Sequence, residues 1–119
     1  GVFCGINVTS GNVNIGTITG NTIGNTTGLG SIYTAATTAG AAVVGIYASS
    51  ANTVTIQNNN IGGIDASGTT ATTAAGFTGI DTAGASNVTI SNNNIGSTVT
   101  DNIRTGYLPN GANLSNAGS

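Results

Sequence analysis

The chain of 119 residues predicts an all-β fold: a parallel, right-handed β-helix solenoid of three imperfect repeats with uncapped ends. Three observations carry that expectation. The sequence repeats itself, its apolar residues are mostly Ile and Val, and only 3% of its residues are charged.

The repeat comes first, because a fixed internal period decides the architecture. Residues 45–62 read Gly-Ile-Tyr-Ala-Ser-Ser-Ala-Asn-Thr-Val-Thr-Ile-Gln-Asn-Asn-Asn-Ile-Gly. Residues 79–96 read Gly-Ile-Asp-Thr-Ala-Gly-Ala-Ser-Asn-Val-Thr-Ile-Ser-Asn-Asn-Asn-Ile-Gly and align with them without a gap, offset by 34. A degenerate copy starts at Gly5 and closes in Gly20-Asn21-Thr22-Ile23-Gly24, with two extra residues in its middle. Each copy follows a similar approach: Val2-Phe3-Cys4, Ala42-Val43-Val44 and Gly76-Phe77-Thr78. The chain therefore reads as one segment, 1–119, with repeats at approximately 1–40, 41–74 and 75–119. Between the copies, Tyr33 to Ala42 and Asp65 to Ala75 are rich in Gly, Ala, Thr and Ser and read as loops or outer strands.

Inside a copy, Asn87-Val88-Thr89-Ile90 alternates polar and apolar residues, so Val88 and Ile90 share one strand face. The Asn triplet then breaks the alternation. Asn tolerates left-handed and bridge backbone conformations and so marks a corner. Ile95-Gly96 opens the next short strand. Equivalent residues of successive coils stack about 4.8 Å apart. Ile56 is then expected on Ile90, and Ile61 on Ile95. Asn58, Asn59 and Asn60 are expected on Asn92, Asn93 and Asn94, forming an amide ladder that satisfies the polar groups of each corner. Phe3 and Phe77, just before the Gly-Ile starts, are expected to fill the core; Tyr47 and Tyr107 are expected at the surface.

Ile and Val favour strands over helices. No ten-residue stretch has helical apolar spacing, and no apolar run is long enough to cross a membrane. Abundant Gly and Ser with little charge also suits a disordered chain, and the repeats argue against it. The net charge of −2 leaves no phosphate-binding face, which excludes nucleic acid as a partner. The lone Cys4 has no internal disulfide partner and reads as a small buried hydrophobe; an intermolecular disulfide or a reactive thiol are the alternatives. The chain begins with Gly and carries no signal peptide, so it is expected to be a segment of something larger.

No site chemistry converges. Asp65, Asp81 and Asp101 lie in different repeats, and Asp65 and Asp81 fall at different points of the repeat. An acid–base pair needs two groups in one cleft. Asp101 and Arg104 are expected to form a local surface ion pair. Calcium needs six to eight oxygen ligands, usually with several carboxylates. No catalytic residue, cofactor or metal site is therefore expected. Four segments match the N-glycosylation acceptor pattern, at Asn7, Asn25, Asn87 and Asn113. Asn25 and Asn113 sit in loops and are the candidates; Asn87 sits beside a core strand. A Thr-x-Thr ladder of the kind that binds ice starts at Thr53 and Thr55 and fails at Asn87 and Thr89.

The motif running from Gly79-Ile80 through Asn87-Val-Thr-Ile-Ser-Asn-Asn-Asn-Ile-Gly-Ser97 resembles the parallel β-helix repeats of large, secreted, tandemly repeated bacterial surface proteins. Asp101-Asn-Ile-Arg-Thr-Gly-Tyr107 resembles a recurring segment of the same arrays. The resemblance covers nearly the whole chain. It implies a β-helix at the cell surface and leaves activity open, since such folds host adhesins, lyases and inert stalks alike. A copy following Ser119 directly would rebuild an approach like the internal ones. The expected function is a structural repeat unit of an extracellular fibre, filament or stalk. Its partners are identical subunits or adjacent repeats joined head to tail, with no insertion into a membrane. The alternative is an adhesin-type module that binds glycans.

Overall fold

The computed structural model describes residues 1–85 and 87–107. Strands β1 (Val2–Val8), β2 (Val13–Ile15), β3 (Thr22–Gly24) and β4 (Ile32–Ala36) form a first pass. The second pass holds β5 (Ala42–Ala48), β6 (Thr53–Gln57), β7 (Asn60–Gly62) and β8 (Ile64–Gly68). The third holds β9 (Gly76–Asp81), β10 (Asn87–Ser91), β11 (Asn94–Ile95) and β12 (Ile103–Tyr107). One 3-10 turn, Ala71–Thr73, is the only helical element among the described residues. The fold is all-β.

Every sheet takes one strand from each pass. The orders are β1-β5-β9, β2-β6-β10, β3-β7-β11 and β4-β8-β12. All of these pairings are parallel. An isolated antiparallel bridge joins Ala75 to Gly106. Strands β4 and β8 fall in the stretches that read as loop or outer strand, and settle them in part as strand. Composition hid them in part, because Ala and Gly carry little strand signal; the Ile32-Tyr33-Thr34 opening of β4 was the strand signal available.

The register sets apolar side chains in rows across the passes. Ile6, Ile46 and Ile80 make one row, and Ile15, Ile56 and Ile90 a second. Ile23, Ile61 and Ile95 make a third, and Ile32, Ile64 and Ile103 a fourth. The four isoleucines of the middle pass are 0% exposed. Each such side chain removed from water contributes about 1.5–3 kcal/mol. A row of identical β-branched residues suits this geometry, because stiff side chains pack repeatedly on a pleated surface.

The first pass differs from the second in where it adds length. It is one residue shorter between β1 and β2 and three longer at the corner between β2 and β3. The two extra residues seen in sequence are the net of these changes. The added length lies between strands, so the pairing register survives.

The Gly-Ile start of each repeat has a packing cause. Val43 and Ile46 are both buried in the core although three positions apart, so simple alternation breaks between them. Gly45 sits at the break. A Cβ there would lie 2.5 Å from the Gly79 carbonyl oxygen and 2.9 Å from Ile61 Cδ1. Gly5 and Gly79 would likewise meet Ile23 and Ile95. Phe77, in the third pass, packs against the core. Phe3 departs from expectation: it is 42% exposed, because no strand is paired beyond β1 among the described residues.

Gly45→Ala should destabilise the protein by about 1–3 kcal/mol, since the neighbours it would strike are backbone and packed side chain. Urea unfolding followed by far-UV circular dichroism reads this; a change below about 0.5 kcal/mol would refute the packing account.

Candidate functional site

Among the described residues, the corner between β6 and β7 is the most heavily bonded polar feature. Asn58 and Asn92 adopt left-handed backbone, with φ of 59° and 55°, which turns the chain and aims the next residue inward. Asn59 is consequently fully buried. Its Nδ2 donates to Asn93 Oδ1 at 2.8 Å and to the Ile15 carbonyl at 3.3 Å. Its backbone N–H also donates to Asn93 Oδ1, at 3.0 Å. Its Oδ1 accepts from the backbone N–H of Asn21 at 3.1 Å and from Asn21 Nδ2 at 2.8 Å. One amide thus ties all three passes together.

Of the Asn residues singled out in sequence, the structure joins Asn59 to Asn93 and Asn60 to Asn94. The second contact is a 3.0 Å bond from Asn94 Nδ2 to Asn60 Oδ1 at the surface. Asn58 turns its amide to the Gly16 carbonyl at 3.2 Å and does not bond the side chain of Asn92. The third member of the buried stack, Asn21, was missing from the sequence-based ladder. Its signal was present: Asn21 stands two residues before Ile23, as Asn59 stands two before Ile61. Ile56 pairs in register with Ile90, and Ile61 with Ile95.

Asn102 is a second polar tie. It is 3% exposed, and its Nδ2 donates to the carbonyls of Asn25 at 3.0 Å and Gly28 at 2.7 Å. It thereby bonds the third pass to the first, across the second. Gly62 makes this possible, since a Cβ there would lie 2.3 Å from Asn102 Oδ1. Asn25 itself is exposed, and its Oδ1 accepts from the N–H and Oγ1 of Thr27 at 2.8 and 2.9 Å. The glycosylation candidate Asn25 therefore closes a local turn; Asn113 lies outside the described residues.

The charged residues pair differently from expectation. Arg104 donates through Nε and a terminal NH2 to both carboxylate oxygens of Asp65, in a two-pronged ion pair. The parallel register of β8 and β12 sets these residues side by side, which sequence proximity to Asp101 did not reveal. The bond to Asp65 raises the Arg104 pKa, and the charge of Asp101 adds to this. A raised pKa on a base stabilises the fold at every pH below its ordinary value. For Arg that value already lies far above neutrality, so the guanidinium stays charged across ordinary pH. Asp81 accepts from the Ala83 N–H at 3.0 Å. Among the described residues no three His, Cys, Asp or Glu side chains converge. Cys4 is half-buried rather than buried. With Val44, Tyr47, Thr78 and Asp81 it lines a shallow depression of about 440 Å³.

The edge of the third pass is apolar. Val88, Ile90 and Ile95 are 42%, 49% and 51% exposed, whereas their partners Val54, Ile56 and Ile61 are 0% exposed. On the first pass, the longer corner carries Ile18, 98% exposed, beside a recess lined by Ile6 and Ile15.

No protein-family model, curated protein or solved structure matches this chain. No helix among the described residues is long and apolar enough to cross a membrane. The chemistry on view is stacking and hydrogen bonding between passes.

Asn59→Ala should lower stability by about 2–4 kcal/mol, because it strands the amides of Asn21 and Asn93. Asn92→Gly should stay within about 1 kcal/mol of the parent, since Gly adopts the left-handed conformation freely. Chemical denaturation of both variants makes the comparison, and equal losses would contradict the amide-stack account. For the ion pair, Asp65→Asn should cost about 1–2 kcal/mol, reduced from a buried pair because Arg104 is a third exposed. Asp101→Asn should cost under about 0.5 kcal/mol. Thermal unfolding of the two variants at neutral pH ranks them, and the reverse order would point back to Asp101 as the partner.

Proposed function

We propose that the chain is a segment of a right-handed parallel β-helix and acts as a structural unit of an extracellular fibre or surface stalk. It stacks head to tail with identical units. The observation that carries this reading is the contrast along the isoleucine rows. In two of the four rows, Ile56 and Ile61 are sealed in the middle pass while Ile90 and Ile95 are half exposed in the third. Covering an open row with a further pass repeats a contact the molecule already makes twice. Right-handedness follows from the strong chiral preference of parallel crossovers.

Other features support the reading. Repeats of this kind lean on their neighbours for burial. Unpaired strand edges invite pairing with another copy. A heterologous contact that does not close yields a filament. A surface solvated by Asn, Thr and Ser, with 3% charged residues, suits an extracellular setting where salt and pH vary. The role proposed is length and stiffness rather than catalysis.

Electron microscopy of the purified protein tests this directly. The expected result is a thin continuous fibre with an axial repeat of roughly 14 Å, from three passes about 4.8 Å apart. Discrete particles at every concentration would overturn the fibre reading.

A further inference from the structure

The hydrogen bonds from one amide of the buried stack to the next all run one way. Asn21 donates its N–H and Nδ2 to Asn59 Oδ1 in the next pass. Asn59 does the same to Asn93 Oδ1. In the opposite sense, Asn59 Nδ2 reaches back to the Ile15 carbonyl, and Asn93 Nδ2 reaches back to the Ile56 carbonyl at 2.9 Å. The two ends of the stack therefore differ in kind. At the third pass the backbone N–H of Asn93 has no acceptor among the described residues. Its remaining amide hydrogen turns to its own Ser91 carbonyl at 3.1 Å. At the first pass, Asn21 Oδ1 has no donor among the described residues.

We infer that the third-pass end of one molecule receives the first-pass end of a second copy, with Asn93 of the one donating to Asn21 Oδ1 of the other. Asn21 Nδ2 of the incoming copy then bonds the Ile90 carbonyl, in the place where Asn59 meets Ile15 and Asn93 meets Ile56. This rests on the fibre reading above and adds to it a direction and a bonded register. Two third-pass ends would set donor against donor, so a symmetric back-to-back dimer lacks this bond. Val88, Ile90 and Ile95 are open at one end; at the other, Phe3 and Ile18 are exposed while Val13, Ile15 and Ile23 are only 4%, 6% and 8% exposed, so the amide bonds rather than the apolar rows define the junction. A formal net charge of −2 puts little repulsion between copies.

Two blocked variants test the direction. Ile90→Lys closes the third-pass end; if it fails to hold the parent's circular dichroism spectrum, Val88→Lys replaces it. Phe3→Lys combined with Ile18→Lys closes the first-pass end. Sedimentation should show each alone at the 11.4 kDa chain mass. An equimolar mixture should form a one-to-one dimer, because each variant keeps the end the other lacks. Exchange of the Asn93 backbone N–H, followed by NMR, should slow by at least about tenfold in that dimer. Should the mixture dimerise while the Asn93 N–H exchanges as in the monomer, the bonded register is wrong and the fibre reading stands; should the parent chain associate while the mixture stays monomeric, or a singly blocked variant dimerise with itself, head-to-tail stacking is wrong as well. Should the parent chain remain monomeric at all concentrations, both fail.

Discussion

Everything in this molecule depends on keeping three passes in one lateral register, and the amide of Asn59 is where that register is enforced. Apolar rows alone tolerate a two-residue slip, which keeps the same face inward and sets isoleucine on valine. A buried amide does not. Such a shift would leave the Asn59 side chain without its bonds to Asn21, Asn93 and Ile15. Unsatisfied buried polar groups are costly, and their penalty falls on the wrong register only. The hydrophobic rows supply the bulk of the burial, while the asparagines choose which burial occurs. Asn102 reinforces the choice by reaching from the third pass to the first.

The scarcity of charge fits the same logic. A parallel stack places equivalent residues side by side, so a charge retained at a repeated position faces its own kind. The chain avoids this. Asn7, Tyr47 and Asp81 share one row with a single charge, and Tyr33, Asp65 and Arg104 share another with two opposite charges. Where neutral amides stack instead, each donates and accepts at once, so like beside like is favourable. This is a physical reason for Asn, rather than Asp or Lys, at the corners.

Much of this was legible in the sequence. The gapless offset between 45–62 and 79–96 placed the second and third passes, and the Asn triplets located the corners. The limits of legibility are as informative. Strands β4 and β8 end in small residues, whose burial comes from neighbours rather than from their own hydrophobicity. Ala66 and Ser67 are both fully buried, yet neither announces it. The partnership of Arg104 with Asp65 spans passes and follows only from a register that the unequal loop lengths conceal. Asn21 was obscured in the same way, since the degenerate copy loses a residue before its corner and gains three within it. Reading backward from Ile23-Gly24 recovers it.

That longer corner carries a consequence of its own. The chain between Ile15 and Asn21 grows by three residues relative to the second pass, yet strands on both sides keep their partners. The segment between β3 and β4 is six residues longer in the first pass than in the second, again with pairing intact beyond it. The stack thus separates what must be conserved in geometry from what is free to vary in length. Foreign peptides grafted between Thr17 and Thr19 would be displayed at a fixed height on a rigid support. The inward-facing asparagines would hold the frame beneath them, making the fold a natural platform for evolving or engineering new surface loops.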